Sequence, residues 1–173
     1  MSGRFDDVEG MAMGYTITQS FMIDIGHRTW TQNILESRGS EFYDGSTVVD
    51  KCANIHGHTI ILAATLAGDA LDSEQFLMHT DLLSGALEPV LDEMDHALIL
   101  DRNDPLYGDL ASIVERGGLK LYTVSFSPSF EFLARHVHDR LKEALDASEV
   151  RSVLRIKEVK LSGEQTIEAT YSE

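Results

Sequence analysis

The sequence predicts an α+β fold: an antiparallel sheet with helices gathered on one of its faces. Three observations carry this reading. Apolar, β-rich runs open and close the chain, two stretches of helical periodicity lie between them, and no repeat or proline-rich linker divides it. The order is two strands, two helices, two strands (ββααββ). A length of 173 residues with 43% hydrophobic content suits one domain, residues 1–173, able to bury a core.

Tyr15 to Ile25, rich in Tyr, Thr, Phe and Ile, reads as the first strand. A long polar stretch, Thr29 to Lys51, follows it, and such irregular segments in a compact domain are usually functional or mobile. Thr59 to Leu66 reads as the second strand, closed by Gly68-Asp69. A helix begins at Asp81, which can cap free backbone N–H groups, and carries the stripe Leu83, Leu87, Val90, Leu91 and Met94. Pro89 inside that stripe predicts a kink or a break. Leu119 to Val124, after Gly117-Gly118, reads as a short extra strand.

The second helix is the clearest element. Ser127 is its expected N-cap, Pro128 its first residue, and Phe130, Leu133, Ala134, Val137, Leu141, Ala144 and Leu145 its apolar face. His136 and His138 are expected on the surface of this helix. Two strands, Val153 to Leu161 and Thr166 to Tyr171, close the chain around a turn at Ser162-Gly163. In the first of them the apolar parity changes between Ile156 and Val159, which predicts a bulge. The edges of a curved four-stranded sheet need partners, so a closed oligomer is expected.

Lys and Arg number 14 against 29 Asp and Glu, a formal charge of −15. That balance argues against nucleic acid and anionic membranes as partners. Cys52 stands alone, so no intrachain disulfide forms, in keeping with a reducing compartment. The longest apolar run, Ile60 to Ala64, is too short to span a bilayer, and Met1 to Gly10 is polar and acidic, unlike a signal peptide. A soluble, cytoplasmic protein is expected.

The segment Cys52-Ala53-Asn54-Ile55-His56-Gly57-His58 carries the chemistry. Residues two apart on a strand share a face, so His56 and His58 can reach one metal ion. If the first two strands pair antiparallel, His27 arrives at the same end of the sheet. Three neutral imidazoles with a fourth position open is the pattern of a catalytic zinc site. Taken alone, a His-x-His pair is more often a surface feature near a turn; the third histidine and the nearby thiol favour the metal. Cys52 itself can be a fourth ligand, an activated nucleophile or base, or a small buried hydrophobe. Asp95-His96, at the end of the first helix, offers an acid–imidazole couple.

Taken together, these pieces resemble the family of 6-pyruvoyltetrahydropterin and 6-carboxytetrahydropterin synthases. The matching segments are Gly26-His27-Arg28, Cys52 with His56-Gly57-His58, Thr80-Asp81-Leu82, Met94-Asp95-His96, Ser127-Pro128-Ser129-Phe130-Glu131, and Glu164. They occur in the family's order and span most of the chain. The Cys-x3-His-x-His spacing with a later Asp-His is the specific part.

The resemblance implies a tunnelling fold whose sheets join into a trimeric barrel, with two trimers stacked as a hexamer. It implies zinc on His27, His56 and His58, a catalytic group of Cys52, Asp95 and His96, and Glu164 gripping the amino-pyrimidine edge of a pterin. The active site would lie between subunits. The implied substrate is 7,8-dihydroneopterin triphosphate, converted either to 6-carboxytetrahydropterin with loss of acetaldehyde and triphosphate, as in queuosine-type deazapurine synthesis, or to the pyruvoyl product. The short Cys-x3-His spacing resembles the carboxy-forming branch. A zinc-stabilised pterin-binding or assembly protein without turnover is the alternative from another class. The chain departs from the family in Gly26 for alanine, in His79-Thr80-Asp81-Leu82 for a more apolar stretch, in Ser129 for threonine, and in the longer loop over residues 28–51. The charge of −15 sits oddly with a triphosphate, and Arg28, Lys51 or Lys120 would have to supply a local positive field.

Overall fold

The computed structural model describes residues 14–30, 51–148, 153–163 and 167–173. Strand β1 (Tyr15–His27) runs antiparallel to β2 (His56–Gly68), with Tyr15 opposite Gly68 and His27 opposite His56. On the far edge of β2 lie β5 (Arg155–Gly163) and then β6 (Ile167–Tyr171), both antiparallel. On the other side β3 (Ala97–Asp101) joins β1 in parallel and β4 (Leu121–Val124) joins β3 in parallel. The sheet is therefore six-stranded, in the order β4-β3-β1-β2-β5-β6. Helices α1 (Thr80–Met94) and α3 (Phe130–Asp146) pack on each other and on one face of it, while α2 (Tyr107–Arg116) crosses over between β3 and β4.

Strand alternation separates the two faces of the sheet. On β1, Ile23, Ile25 and His27 are at most 5% exposed, whereas Met22, next to Ile23, is 73% exposed. The inward set meets Ile60, Leu62 and Leu66 of β2, Leu83, Leu87 and Met94 of α1, Leu133, Val137 and Leu141 of α3, and Leu161 of β5. Each such side chain contributes roughly 1.5–3 kcal/mol by leaving water. The bulge lies where the parity change predicts it: Thr65 pairs with Glu158 and Leu66 with Ile156, leaving Lys157 as the extra residue. No helix among the described residues is long and apolar enough to cross a membrane.

The α+β class stands, but the sheet is mixed and carries more than the ββααββ pattern contains. β3 is a run of four apolar residues and Asp101, separated from α1 by two residues, which periodicity cannot tell from a helix tail. α2 buries only Val114, so its stripe is weak. The extra strand read over Leu119 to Val124 is β4, starting at Leu121.

Helix starts shift slightly as well. α1 begins at Thr80 with His79 in the cap position, so Asp81 sits in the first turn and favours the helix dipole from there. It continues unbroken through Pro89. Pro89 and Gly85, whose carbonyl loses its donor, both lie on the exposed side where water can replace the missing bond. The cap of α3 is Ser129, not Ser127: the first helical bond runs from Leu133 N–H to the Ser129 carbonyl, and the Ser129 hydroxyl accepts from Phe132 N–H. Pro128 thus precedes the cap, and its carbonyl is engaged by His27. His138, expected on the surface, is 1% exposed and packs edge-on against Tyr171, 4.8 Å between ring centres. His136 is half-buried and meets the Tyr122 hydroxyl at 2.6 Å. Thr166 and Glu164 lie outside the described residues, as does most of the 28–51 loop.

Gly163, at the end of β5, lies under the ring of Phe130. A Cβ there would fall 2.6 Å from Phe130 Cε2 and 2.8 Å from Cζ. Gly163→Ala should therefore cost about 1–3 kcal/mol by overpacking, read as a lower denaturation midpoint with an unchanged denaturant slope. An unchanged midpoint would show that the ring can move aside freely.

Candidate metal and acid–base site

The β1–β2 register sets His27 opposite His56 and Ile25 opposite His58, all facing the helix-covered side. The three imidazoles cluster with ring centres 4.5–5.1 Å apart, and one ring nitrogen from each falls within 4.8 Å of the others. Phe130 walls the group, its ring centre 5.2 Å from that of His58 and 6.1 Å from that of His27.

Backbone carbonyls fix two of the tautomers. His27 Nδ1–H donates to the Pro128 carbonyl at 2.7 Å, and His56 Nδ1–H donates to the Asn54 carbonyl at 2.8 Å. Their Nε2 atoms are left as lone pairs facing one another at 3.1 Å. Two acceptors so placed repel unless a cation lies between them. A tetrahedral ion about 2.0–2.1 Å from each nitrogen would hold them roughly 3.3 Å apart, so the donor set fits zinc. Burial pushes the His27 imidazole down to about 4, with its two neighbours acting in the same direction against the Pro128 bond. It is neutral near pH 7, as a ligand must be.

Cys52 lies on a single 3-10 turn, Lys51–Ala53, and lines the same cavity of about 220 Å³ as the three histidines, Ser129, Phe130 and Glu131. Its sulfur does not join the three imidazole nitrogens that lie within 4.8 Å of one another. Its carbonyl accepts from Thr29 N–H at 2.8 Å, which ties the turn to the end of β1.

Asp95 and His96 occupy a different place. His96 Nδ1 lies 2.9 Å from Asp95 Oδ1, and that oxygen also accepts from Asp24 N–H at 2.9 Å. The Asp24 side chain is on the outer parity of β1, where it accepts from the Thr59 hydroxyl at 2.5 Å. The couple is thus held at the sheet face opposite the imidazoles, and one chain does not bring it to Cys52. The Asp24 backbone bond, then His96 and Lys120, hold the Asp95 carboxyl below the usual carboxylate range.

Two of the three cations considered for a triphosphate have other tasks. Arg28 Nε sits 3.2 Å from the buried Asp104 carboxylate, and Lys120 Nζ donates to the Asp92 and Asp95 carbonyls at the end of α1. The Lys51 side chain lies outside what the structure describes. Asp24 and Thr29 are the participants that the motifs left out. The signal for Asp24 was an acid on an apolar strand, three residues before His27 and of opposite parity.

Burial of His27 sets a pH limb in the metal-free protein. The unfolded chain takes up the proton near the ordinary value of 6.5, the folded one only near 4. Between these values the unfolded state binds more protons, so this contribution is complete above 6.5 and is lost as pH falls towards 4. The loss should be on the order of 3 kcal/mol in chelator-treated protein. Urea titrations at several pH values will read it, and His27→Gln should lack the limb.

The family model for 6-pyruvoyl tetrahydropterin synthase matches residues 16–173. A 6-carboxy-5,6,7,8-tetrahydropterin synthase of Aquifex aeolicus is 34% identical over 162 residues, 93% of this chain and 99% of its own length. A protein of the same name from Haemophilus influenzae is 30% identical over 143 residues, 79% of this chain and 90% of its own. Among solved structures, an uncharacterized protein from Wolinella succinogenes superposes with a TM-score of 0.71 at 17% identity, covering 93% of this chain and 99% of its own. The 6-pyruvoyl tetrahydropterin synthase of Plasmodium vivax gives 0.64 at 14%, covering 93% and 98%. The fold, and a match that runs over nearly the whole chain, place this protein in the 6-pyruvoyl tetrahydropterin synthase family.

Proposed function

We propose that the chain is a zinc-dependent lyase that converts 7,8-dihydroneopterin triphosphate to 6-carboxy-5,6,7,8-tetrahydropterin, releasing acetaldehyde and triphosphate. The observation that carries this is the convergence of His27, His56 and His58 in one cavity with Cys52, two of the imidazoles locked with Nε2 lone pairs face to face. The names of the Aquifex and Haemophilus relatives favour the carboxy-forming reaction over the pyruvoyl-forming one.

His27, His56 and His58 would hold the zinc, which when bound supplies Lewis-acid polarisation of the substrate's side-chain hydroxyls. The Cys52 thiolate, beside that position, would take a proton from the side-chain carbons. Asp95 and His96 would act as the partnering acid–base couple. They stand on the opposite sheet face, which supports an active site completed by a second copy of the chain. Glu164 would accept two N–H bonds from the pterin's amino-pyrimidine edge. A homohexamer built from two trimers, acting on a small-molecule pterin in the cytoplasm, is the assembly this reading entails. The product would feed deazapurine synthesis of the queuosine type.

Purified protein should turn dihydroneopterin triphosphate into the carboxy product and acetaldehyde. A pyruvoyl product would move it to the other branch, and binding without turnover would make it an assembly protein. His56→Ala and His58→Ala should each lose most bound zinc by metal analysis; full retention in both would sink the ligand assignment. Cys52→Ala should keep its zinc and lose about 10²-fold or more of its turnover, the range for a removed general base. Zinc loss in that variant would make the thiol a ligand instead.

The assembly has its own test. Light scattering at micromolar concentration should give a hexamer, and a monomer with full activity would contradict a site shared between subunits.

A further inference from the structure

The acid–base couple is built around a residue that the motifs did not single out. Asp24 meets Asp95 and His96 at three points. Its N–H donates to Asp95 Oδ1 at 2.9 Å, its carbonyl accepts from His96 N–H at 2.6 Å, and its Oδ2 lies 4.0 Å from His96 Nε2. Asp95 Oδ1 faces the other ring nitrogen, Nδ1, at 2.9 Å. The imidazole therefore stands between two carboxylates, one toward each nitrogen.

The surroundings hold this arrangement. His96 has φ of 57°, in the left-handed region that non-glycine residues seldom adopt, and the bond from its N–H to the Asp24 carbonyl keeps it there. Thr59 holds the Asp24 carboxylate from the neighbouring strand at 2.5 Å. Lys120 anchors the end of α1 through the Asp92 and Asp95 carbonyls. The His96 side chain is 73% exposed, so contacts from the core do not set its orientation.

We propose that Asp24 is a positioning residue for the acid–base couple: its carboxylate fixes the edge of the His96 ring that carries Nε2, while Asp95 fixes Nδ1. A neutral imidazole has one N–H, and the Asp95 oxygen at 2.9 Å accepts it. Nε2 is then the ring nitrogen on the side of the Asp24 carboxylate, 4.0 Å from Oδ2. Asp24 acts on the ring without touching substrate. The assignment rests on the reading of Asp95 and His96 as the acid–base couple.

Asp24→Asn and Thr59→Val separate this role from a structural one. Asp24→Asn keeps the oxygen that accepts from Thr59 and removes the charge; Thr59→Val removes the strand-bridging bond and leaves the charge. Asp24→Asn should lower kcat at least tenfold with KM, zinc content and melting temperature near wild type. Asp24→Glu should recover part of that loss, and Thr59→Val should cost less than Asp24→Asn. Equal kcat in Asp24→Asn and wild type, or a larger loss in Thr59→Val, overturns the assignment. A crystal structure of Asp24→Ala gives an arm independent of turnover. The His96 ring should leave its place beside Asp95, and a ring that stays overturns the assignment even if wild-type protein yields no product. Absence of product from wild type counts against the lyase reading alone.

Discussion

The pairing of His27 with His56 across β1 and β2 is the constraint on which the rest of the site depends. It is a backbone register, fixed by thirteen consecutive pairs from Tyr15–Gly68 to His27–His56, and not by the imidazoles themselves. The apolar inward set of both strands enforces that register, because a slip of one residue would turn Ile23, Ile25, Ile60 and Leu62 to solvent. The core energy that holds the two strands in phase is thus also what aligns the three imidazole nitrogens that could hold a metal. Local bonds then refine the aim: the Pro128 and Asn54 carbonyls choose the tautomers, and Phe130 limits where the rings can go.

The same alternation explains why the site is divided. Odd positions of β1 place His27 under the helices, and even positions place Asp24 on the open face. The chain passes from α1 into β3, the neighbour of β1, and the turn between them delivers Asp95 and His96 beside Asp24. The sheet thus stands between the three imidazoles and the Asp95–His96 couple. Under the proposed lyase reading, proximity of the two groups would come from apposing the open face or edge of one copy to the cavity of another. Assembly would then be part of the chemistry, since reacting groups gain rate only when held within a few ångströms of each other.

Much of this was legible in the sequence, for physical reasons that differ by residue. His56 and His58 share a face because strand geometry has a period of two, and His27 joins them because the first two strands are long and pair end to end. The bulge at Lys157 showed as a parity change because β5 keeps its apolar residues on the core side. β3 was not legible: Ala97 to Asp101 is the second strand in from one sheet edge, with neighbours on both sides, and the short apolar run Ala97 to Leu100 has no periodicity to read. His138 was misplaced because it lies next to Val137 on α3, and only the position of β6 shows that Tyr171 covers it. The α3 cap was misplaced because the competing use of the Pro128 carbonyl comes from His27, 101 residues away. Asp24 stayed hidden because an exposed acid on a strand acquires meaning only from the chain end that folds against it.

The end of β1 shows how placement was favoured over charge economy. Three successive residues each bind a different element. Arg28 meets buried Asp104, Thr29 holds the Cys52 carbonyl, and Trp30 Nε1–H donates to buried Asp101 at 3.0 Å. Asp101 also accepts from Asn103 N–H at 2.9 Å and from its side chain at 3.0 Å, so the β3–α2 turn closes on the same group. Desolvating the Arg28–Asp104 pair offsets much of its attraction, and an apolar pair could pack as well. What the ion pair and its neighbours supply is direction: they fix the path by which the chain leaves His27, and the Cys52 turn is fastened two residues beyond it. Among the described residues lining the cavity there is no lysine or arginine, since Arg28 is committed to the framework. Under the proposed reading, attraction for an anionic substrate there would come from the metal and from groups that a second copy brings.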